Sequence, residues 1–314
     1  MLAFGPVPSR RLGRSLGVNN VPSKICTYAC VYCQVGRTTE MPSQRRAFYP
    51  LDQIIADVRR KLEQAQAAGE RVDYATFVPD GEPTLDVQLG RAITEIKKLG
   101  VKVAVISNST LLWHEDVRTD LSQADWVSLK VDSVEQKAWR KINRPLRALD
   151  LAAIMDGMAR FAQGYTGYLA TETMLVHGVN DNAERMEAVG DFLATLKPAC
   201  SYLSIPTRPP AVGWVQPPTV EALNVSYQAL AARLGHVEYL IGYEGNAFAS
   251  TGKVGDDILS ITAVHPMRED AVSAVLARAG AEWSVIQELL DRGQLAVVEY
   301  NNQRFYVRRI GKTT

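Results

Sequence analysis

Short apolar runs alternate with amphipathic stretches from residue 16 to about residue 241, and that alternation restricts the chain to a few layered folds. Leu51, Ile54, Ile55, Val58 and Leu62 recur at helical spacing, and Gly69 follows as a stop signal. Tyr74–Val78 is an apolar run bounded by Pro79 and Gly81, the pattern of a buried strand. A helix from about Val87 to Leu99 ends at Gly100, and Val101–Ile106 is the next strand. Trp126–Val131, Tyr168–Val176 and Ser201–Ile205 continue the series, which a short strand at Leu16–Asn19 opens. Strands spaced by helical crossovers predict a parallel sheet. Six units are too few for a standard eight-stranded barrel, so the expected fold is α/β, a partial (β/α)6 parallel barrel. Ligand sites in such folds lie beyond the carboxyl ends of the strands, so chemically active residues should follow strands.

Two breaks interrupt the pattern. Pro206, Pro209, Pro210, Pro217 and Pro218 cluster after the last strand, and Gly242, Gly245, Gly252 and Gly255 follow further on. Beyond them the spacing predicts helices at Arg268–Ala279 and Trp283–Arg292. A hairpin of Gln294–Tyr300 and Arg304–Arg309 then turns at Asn301–Asn302. Helices followed by a two-stranded wing resemble a winged helix-turn-helix module. The expected organisation is therefore a core over 1–242, a linker over 243–255 and a winged-helix-like module over 256–314.

A formal net charge of +1 gives no global pull toward nucleic acid or anionic lipid, so any such partner needs a local patch. Residues 1–14 hold Pro6 and Pro8 and no apolar core of signal-peptide length. Apolar runs are too short to span a bilayer, so a cytoplasmic protein without a membrane partner is expected. Four cysteines in 314 residues do not make a disulfide framework. Three of them fall between Cys26 and Cys33, which points to metal binding in a reducing compartment.

Cys26, Cys30 and Cys33 are spaced as ligands of an iron–sulfur cluster, and a cubane has four irons. Three side chains leave one iron open to an exogenous ligand, as catalytic metal sites do. A structural zinc is the alternative, but it needs four ligands. None of His114, His177, His236 and His265 lies near in sequence, and Cys200 is isolated and reads as a core residue.

The Cys-x-x-x-Cys-x-x-Cys spacing, with Tyr32 directly before the last cysteine, resembles the radical S-adenosylmethionine superfamily. The resemblance implies two cofactors, a [4Fe–4S] cluster and S-adenosylmethionine, with metal ligands Cys26, Cys30 and Cys33. It implies that the open iron chelates the cofactor's amino and carboxylate groups. One electron then breaks the sulfonium bond, giving methionine and a 5′-deoxyadenosyl radical that abstracts hydrogen. A reductant such as flavodoxin or ferredoxin is the implied electron donor.

Asp80-Gly-Glu-Pro-Thr84 follows the second strand and resembles the Gly-Gly-Glu-Pro motif that receives the cofactor's amino group. Gly81 permits a close backbone approach, Glu82 is a candidate acceptor for the ammonium, and Pro83 completes the motif. Asp80 departs from the small residue of the pattern, and a plain Asp-Gly turn is the bland alternative. Ser107 and Asn108, after the third strand, resemble contacts to the cofactor's carboxylate and ribose, and a helix cap is the alternative. Lys130 and Asp132 share a face by period-two alternation and read either as site residues or as a buried ion pair. Glu172, inside the fifth strand, is a further candidate for the ribose or substrate. His177 reads as a loop histidine, and Arg208 as either an anion contact or a solvated loop residue.

Phe4–Gly17, Lys141–Pro145, His177–Asp181 and His265–Glu269 extend the resemblance over nearly the whole chain, to an iron–sulfur oxidoreductase group related to wyosine-forming transfer-RNA enzymes. Those enzymes carry a second cluster, and Cys200 alone does not supply one. Arg304, Arg308, Arg309 and Lys312 gather near the wing, balanced by Glu269, Asp270, Glu282, Glu288, Asp291 and Glu299. The leading function is a radical enzyme acting on an unidentified substrate, with RNA or a peptide docked through 256–314. The alternative is an iron–sulfur redox sensor that binds nucleic acid through its wing.

Overall fold

The computed structural model describes residues 2–42, 44–241, 254–264 and 266–309. One eight-stranded sheet carries the main body in the order of the sequence: β1 Ala3–Ser9, β2 Gly13–Val18, β3 Tyr74–Phe77, β4 Lys102–Ser107, β5 Trp126–Lys130, β6 Tyr168–Met174, β7 Cys200–Ser204 and β8 Val237–Leu240. β1 is antiparallel to β2, and every later pair is parallel. Helices α1 Leu51–Ala67, α2 Leu89–Lys97, α3 Glu115–Leu121, α4 Gln136–Asn143, α5 Leu151–Gly164, α6 Ala183–Leu196 and α7 Val220–Ala231 fill the crossovers.

The six expected strands are β2 to β7, and the sheet adds one at each edge. β1 contains Pro6 and Pro8, which an edge strand tolerates because their missing N–H groups need no ladder partner. β8 has four residues, too few to show an alternation.

Alternation within the strands sorts the two faces. Val103, Val105, Val127, Leu129 and Leu203 join Ile54, Val58, Ile93 and Ile96 of the helices in one buried core. On the concave side, the lower residues Ala104, Trp126, Ala170, Cys200 and Tyr202 pack with Leu12 from the β1–β2 turn. The same inward rows become polar toward the carboxyl ends, passing from Trp126 to Lys130, from Ala170 to Glu172 and from Cys200 to Ser204. An apolar plug thus closes one end of the half-barrel, and a charged floor faces the other.

Beyond residue 253 the chain forms α8 Val254–Val264, β9 Met267–Arg268, α9 Glu269–Ala279, α10 Ser284–Asp291, β10 Leu295–Tyr300 and β11 Gln303–Arg308. β11 lies between β10 and β9 in a three-stranded sheet. Asn301 and Asn302 hold the hairpin turn with φ of 49° and 57°, the left-handed pair that asparagine supports. Of the expected linker, residues 243–253 lie outside the described residues, while Val254 and Gly255 already belong to α8. Val7 of β1 packs against the apolar cluster of α8, α9 and α10, so this module rests on the sheet's antiparallel edge.

Candidate active site

Backbone hydrogen bonds fasten the segment after β2 across the mouth of the half-barrel. Lys24 N donates to Asp80 O at 2.8 Å, and Glu82 N donates to Ile25 O at 3.1 Å, joining it to the loop after β3. Val31 N donates to Ile142 O at 2.9 Å and Leu146 N to Thr27 O at 3.0 Å, joining it to the end of α4. Val212 N closes a third side by donating to Val31 O at 3.1 Å. Val31 itself is buried among Ile142, Val176, Val179 and Val215, so an apolar residue inside the cysteine motif anchors the loop. Trp139 of α4 adds an Nε1–H bond to the Tyr28 hydroxyl at 2.6 Å.

Cys26, Cys30 and Cys33 line one cavity of about 330 Å³, together with Lys24, Asp80, Gly81, Glu82, Ser107, Asn108, Lys130 and Glu172. Every one of these residues lies at or beyond the carboxyl half of a strand, where the architecture puts ligands. The sulfurs do not converge as ligands of one ion would. Donor atoms all within 4.8 Å of one another occur, among the described residues, at Cys200, His236 and Glu238 and not at the three cysteines. Tetrahedral zinc, with Zn–S near 2.3 Å, would hold its sulfurs only about 3.8 Å apart.

The thiols are half-buried in the cavity wall. Burial pushes Cys30 up to about 12, with the Asp132 charge adding to the effect. Burial likewise raises Cys26 well above the usual range and, against the opposing charge of Lys24, raises Cys33. Such thiols keep their protons at neutral pH unless a metal displaces them. Amide donors wait beside two of them: Asn108 Nδ2 is 3.4 Å from Cys26 Sγ, and Asn143 Nδ2 is 3.5 Å from Cys30 Sγ.

Glu82 is 1% exposed, and both its oxygens are engaged by the chain. Oε1 accepts from Thr84 Oγ1 at 2.6 Å, Thr84 N at 3.1 Å and Ser107 Oγ at 2.8 Å, and Oε2 accepts from Asn108 N at 2.7 Å. Burial still pushes its carboxyl up, against the pull of these donors. This carboxylate therefore ties the loop after β3 to the loop after β4. Pro83 starts a buried 3-10 turn, Pro83–Leu85, whose first carbonyl accepts from Asn20 Nδ2 at 3.0 Å; it stands behind the cavity wall.

On the floor, Lys130 and Glu172 are register neighbours on β5 and β6, and Lys130 Nζ is 2.8 Å from Glu172 Oε1. Arg11 reaches up from the β1–β2 turn to Glu172 Oε2 at 2.5 Å, its guanidinium over the Trp126 and Tyr202 rings. Ser204 Oγ donates to Glu172 Oε1 at 3.0 Å. Although burial works to raise it, the charges of Lys130 and Arg11 hold the Glu172 carboxyl down at about 2. Burial also opposes the Lys130 ammonium, and Asp132 and Glu172 nonetheless keep its pKa above the usual lysine range. Asp132 lies beneath, 3.6 Å from Lys130 Nζ, receiving Asn143 Nδ2 at 2.6 Å and the Tyr32 hydroxyl. The two readings of Lys130 and Asp132 thus meet: they form a buried ion pair, and its cationic end lines the cavity.

Other expected residues land elsewhere. His177 is exposed and lies 3.1 Å from Asp181 Oδ2, away from the cavity lining. Arg208 lines the mouth and donates to Gln34 Oε1 of the cysteine loop at 2.7 Å. Cys200 is buried as expected, at the far end of the barrel, where it gains His236 and Glu238 as neighbours that sequence distance concealed. On the hairpin, Arg304 faces Glu269 at 3.5 Å, and Arg308 donates to Leu259 O at 3.4 Å. His265 and Lys312 lie outside the described residues. Lys24, Arg11, Asn143 and Ser204 are not singled out as site residues by sequence, although Arg11 and Asn143 lie in segments that carry the resemblance, because each acquires its role only through a partner distant in sequence.

The Radical SAM superfamily profile matches residues 20–191. A UPF0026 protein of Methanocaldococcus jannaschii is 41% identical over 311 residues, covering 98% of this chain and 96% of its own length. The structure of TYW1 with a lysine-pyruvate adduct bound shares the fold at 15% identity, with a TM-score of 0.53 over 70% of this chain and 74% of that one. Streptococcus suis SuiB bound to S-adenosylmethionine is similar at 13% identity, with a TM-score of 0.51 over 71% of this chain and 49% of that one.

Proposed function

The chain belongs to the Radical SAM superfamily, whose enzymes use a [4Fe–4S] cluster and S-adenosylmethionine, and from that premise we propose that Cys26, Cys30 and Cys33 hold the cluster at the barrel mouth. The observation that carries this reading is their placement: three half-buried thiols line one cavity together with Gly81 and Glu82 of the loop after β3. Three thiolates would hold three irons of such a cluster and leave the fourth for S-adenosylmethionine. When bound, the pair supplies reductive cleavage of the sulfonium bond to methionine and a 5′-deoxyadenosyl radical.

The chain's own residues position and shield. Asn108 and Asn143 orient N–H groups toward two of the sulfurs, which disperses thiolate charge. The backbone of Gly81 and Glu82 lines the cavity and would receive the cofactor's ammonium, with Pro83 behind it, while the Glu82 side chain braces that loop against Ser107 and Asn108. Lys130 and Glu172, backed by Asp132, offer fixed charges to the ribose or to a polar substrate.

The module beyond residue 253 meets this site. Tyr300 OH donates to Pro206 O at 3.1 Å, in the loop that lines the mouth, and burial pushes the Asp80 carboxyl up to about 6 against the opposing charges of Lys24 and Arg308. These contacts support a winged-helix-like roof that presents a macromolecular substrate, RNA or peptide, to the cavity.

The test is anaerobic reconstitution with iron and sulfide, then dithionite and S-adenosylmethionine. Methionine and 5′-deoxyadenosine should form in equal amounts. A fully loaded cluster that yields no 5′-deoxyadenosine would rule the reading out.

A further inference from the structure

Lys24 stands two residues ahead of Cys26 and is 7% exposed. Its backbone lies in the left-handed region, φ 67°, which a residue with a Cβ adopts at a cost. Neighbouring loops enforce that conformation. Lys24 N donates to Asp80 O at 2.8 Å, and Lys24 O accepts from Thr39 N at 3.0 Å and from Glu40 N at 3.3 Å. The side chain therefore folds back over the cysteine loop, against the turn that follows Cys33. A Cβ built on Gly36 in that turn would lie 3.7 Å from Lys24 Nζ.

Lys24 lines the cavity shared by the three cysteines, and its buried Nζ has no hydrogen-bond partner among the described residues. Burial works against its ammonium, and Asp80 is the nearby carboxylate that opposes this effect. Asp80 is no dedicated counter-ion: its Oδ2 accepts from Ser23 Oγ at 3.0 Å, and its Oδ1 is also buried without a partner. An ammonium removed from water and left unpaired costs several kcal/mol. A strained backbone that aims such a group at three metal-ligand candidates leaves a place for an anion.

We propose that Lys24 is a positioning residue that answers the negative charge of the [4Fe–4S] cluster, donating an N–H to sulfur on the Cys33 side. The proposal rests on the cluster assignment above. A cubane held by three thiolates is anionic, and reduction adds one more negative charge. A fixed cation beside it in a dry site stabilises the reduced form more than the oxidised form, which raises the reduction potential. The cofactor's carboxylate is the other anion that such a cation could meet, so the decisive measurement leaves the cofactor out.

The experiment is a redox titration of the reconstituted cluster at fixed pH, followed by electron paramagnetic resonance without S-adenosylmethionine. It compares wild type, Lys24→Met and Lys24→Arg. Lys24→Met is expected at a more negative midpoint, with Lys24→Arg returned toward wild type. Equal midpoints for wild type and Lys24→Met would overturn the proposal; a loss confined to cofactor affinity would reassign Lys24 to the carboxylate. Should Lys24→Met fold but take up no iron, loading becomes the readout. Lys24→Arg must then load, and an Arg variant as empty as the Met variant overturns the idea. A wild-type protein that assembles no [4Fe–4S] cluster overturns the cluster assignment itself, a failure visible before any variant is made.

Discussion

Gly81 lies so close to Ile25 that a Cβ built on it would stand 2.0 Å from the Ile25 carbonyl oxygen. That oxygen also accepts from Glu82 N at 3.1 Å, so the loop after β3 and the cysteine loop touch backbone to backbone. A glycine is required there for a contact within the chain. Gly81→Ala must push the two loops apart, since backbone cannot yield as a flexible side-chain tip does. The variant is expected to melt several degrees lower as apoprotein and to bind less iron after reconstitution. An alanine variant that melts and loads like wild type would mean that the loops are not in contact.

Cys30→Ala removes the thiol next to Asn143 and Asp132. The brown chromophore and the cleavage of S-adenosylmethionine should both disappear, while the fold persists, because the loop keeps its backbone bonds to α4. Iron analysis and absorbance near the visible charge-transfer bands check this. Retention of a full cubane with unchanged turnover would remove Cys30 from the ligand set.

Glu172 makes the floor sensitive to acid. Its folded-state pKa of about 2 lies below the ordinary 4.5, because Lys130 and Arg11 outweigh burial. A depressed carboxyl contributes stability that is fully present above pH 4.5 and is lost as pH falls through about 2. The difference corresponds to about 3 kcal/mol. Glu172→Gln should therefore be less stable at pH 7 by roughly 2–3 kcal/mol, with the gap to wild type closing between pH 4.5 and 2. Urea unfolding of both proteins across that range measures it. A gap that stays constant down to pH 3 would show that those charges do not hold the carboxylate.

Much of this arrangement was legible in the chain because it is written locally. The cysteine spacing, the Asp80–Thr84 turn and the alternation of Trp126 to Lys130 each fit within a dozen residues. What stayed hidden depends on closure of the sheet. Arg11 and Glu172 are 161 residues apart and meet only because the β1–β2 turn lies beneath β6. Asn143 stands in the Lys141–Pro145 segment of the resemblance, but its role shows only when α4 is packed against the cysteine loop, where it reaches both Cys30 and Asp132. β1 was masked by Pro6 and Pro8, whose meaning changes once the strand is known to be an edge. The wing arginines looked like a phosphate-binding cluster, yet Arg304 turns to Glu269 and Arg308 toward α8 and Asp80.

Glu82 poses the last question: whether a motif carboxylate touches the cofactor or holds the loops that do. Its two oxygens take four donors from Thr84, Ser107 and Asn108, and it has almost no exposed surface. Removing it leaves those donors buried and unmatched, at about 1–3 kcal/mol for each that finds no substitute. Glu82→Ala is therefore expected to lower the unfolding free energy of the apoprotein by roughly 2–4 kcal/mol, before any cofactor is present. It should still assemble a cluster, because the cysteine loop keeps its bonds to the end of α4 through Ala29 and Val31, but should bind S-adenosylmethionine more weakly as the loop after β3 loosens. Two measurements separate the roles: urea unfolding without metal, and cofactor-induced change in the spectrum of the reduced cluster. Unchanged apoprotein stability with weakened cofactor binding would make Glu82 a direct contact. Loss of both, in the proportions given, makes it the brace between β3 and β4.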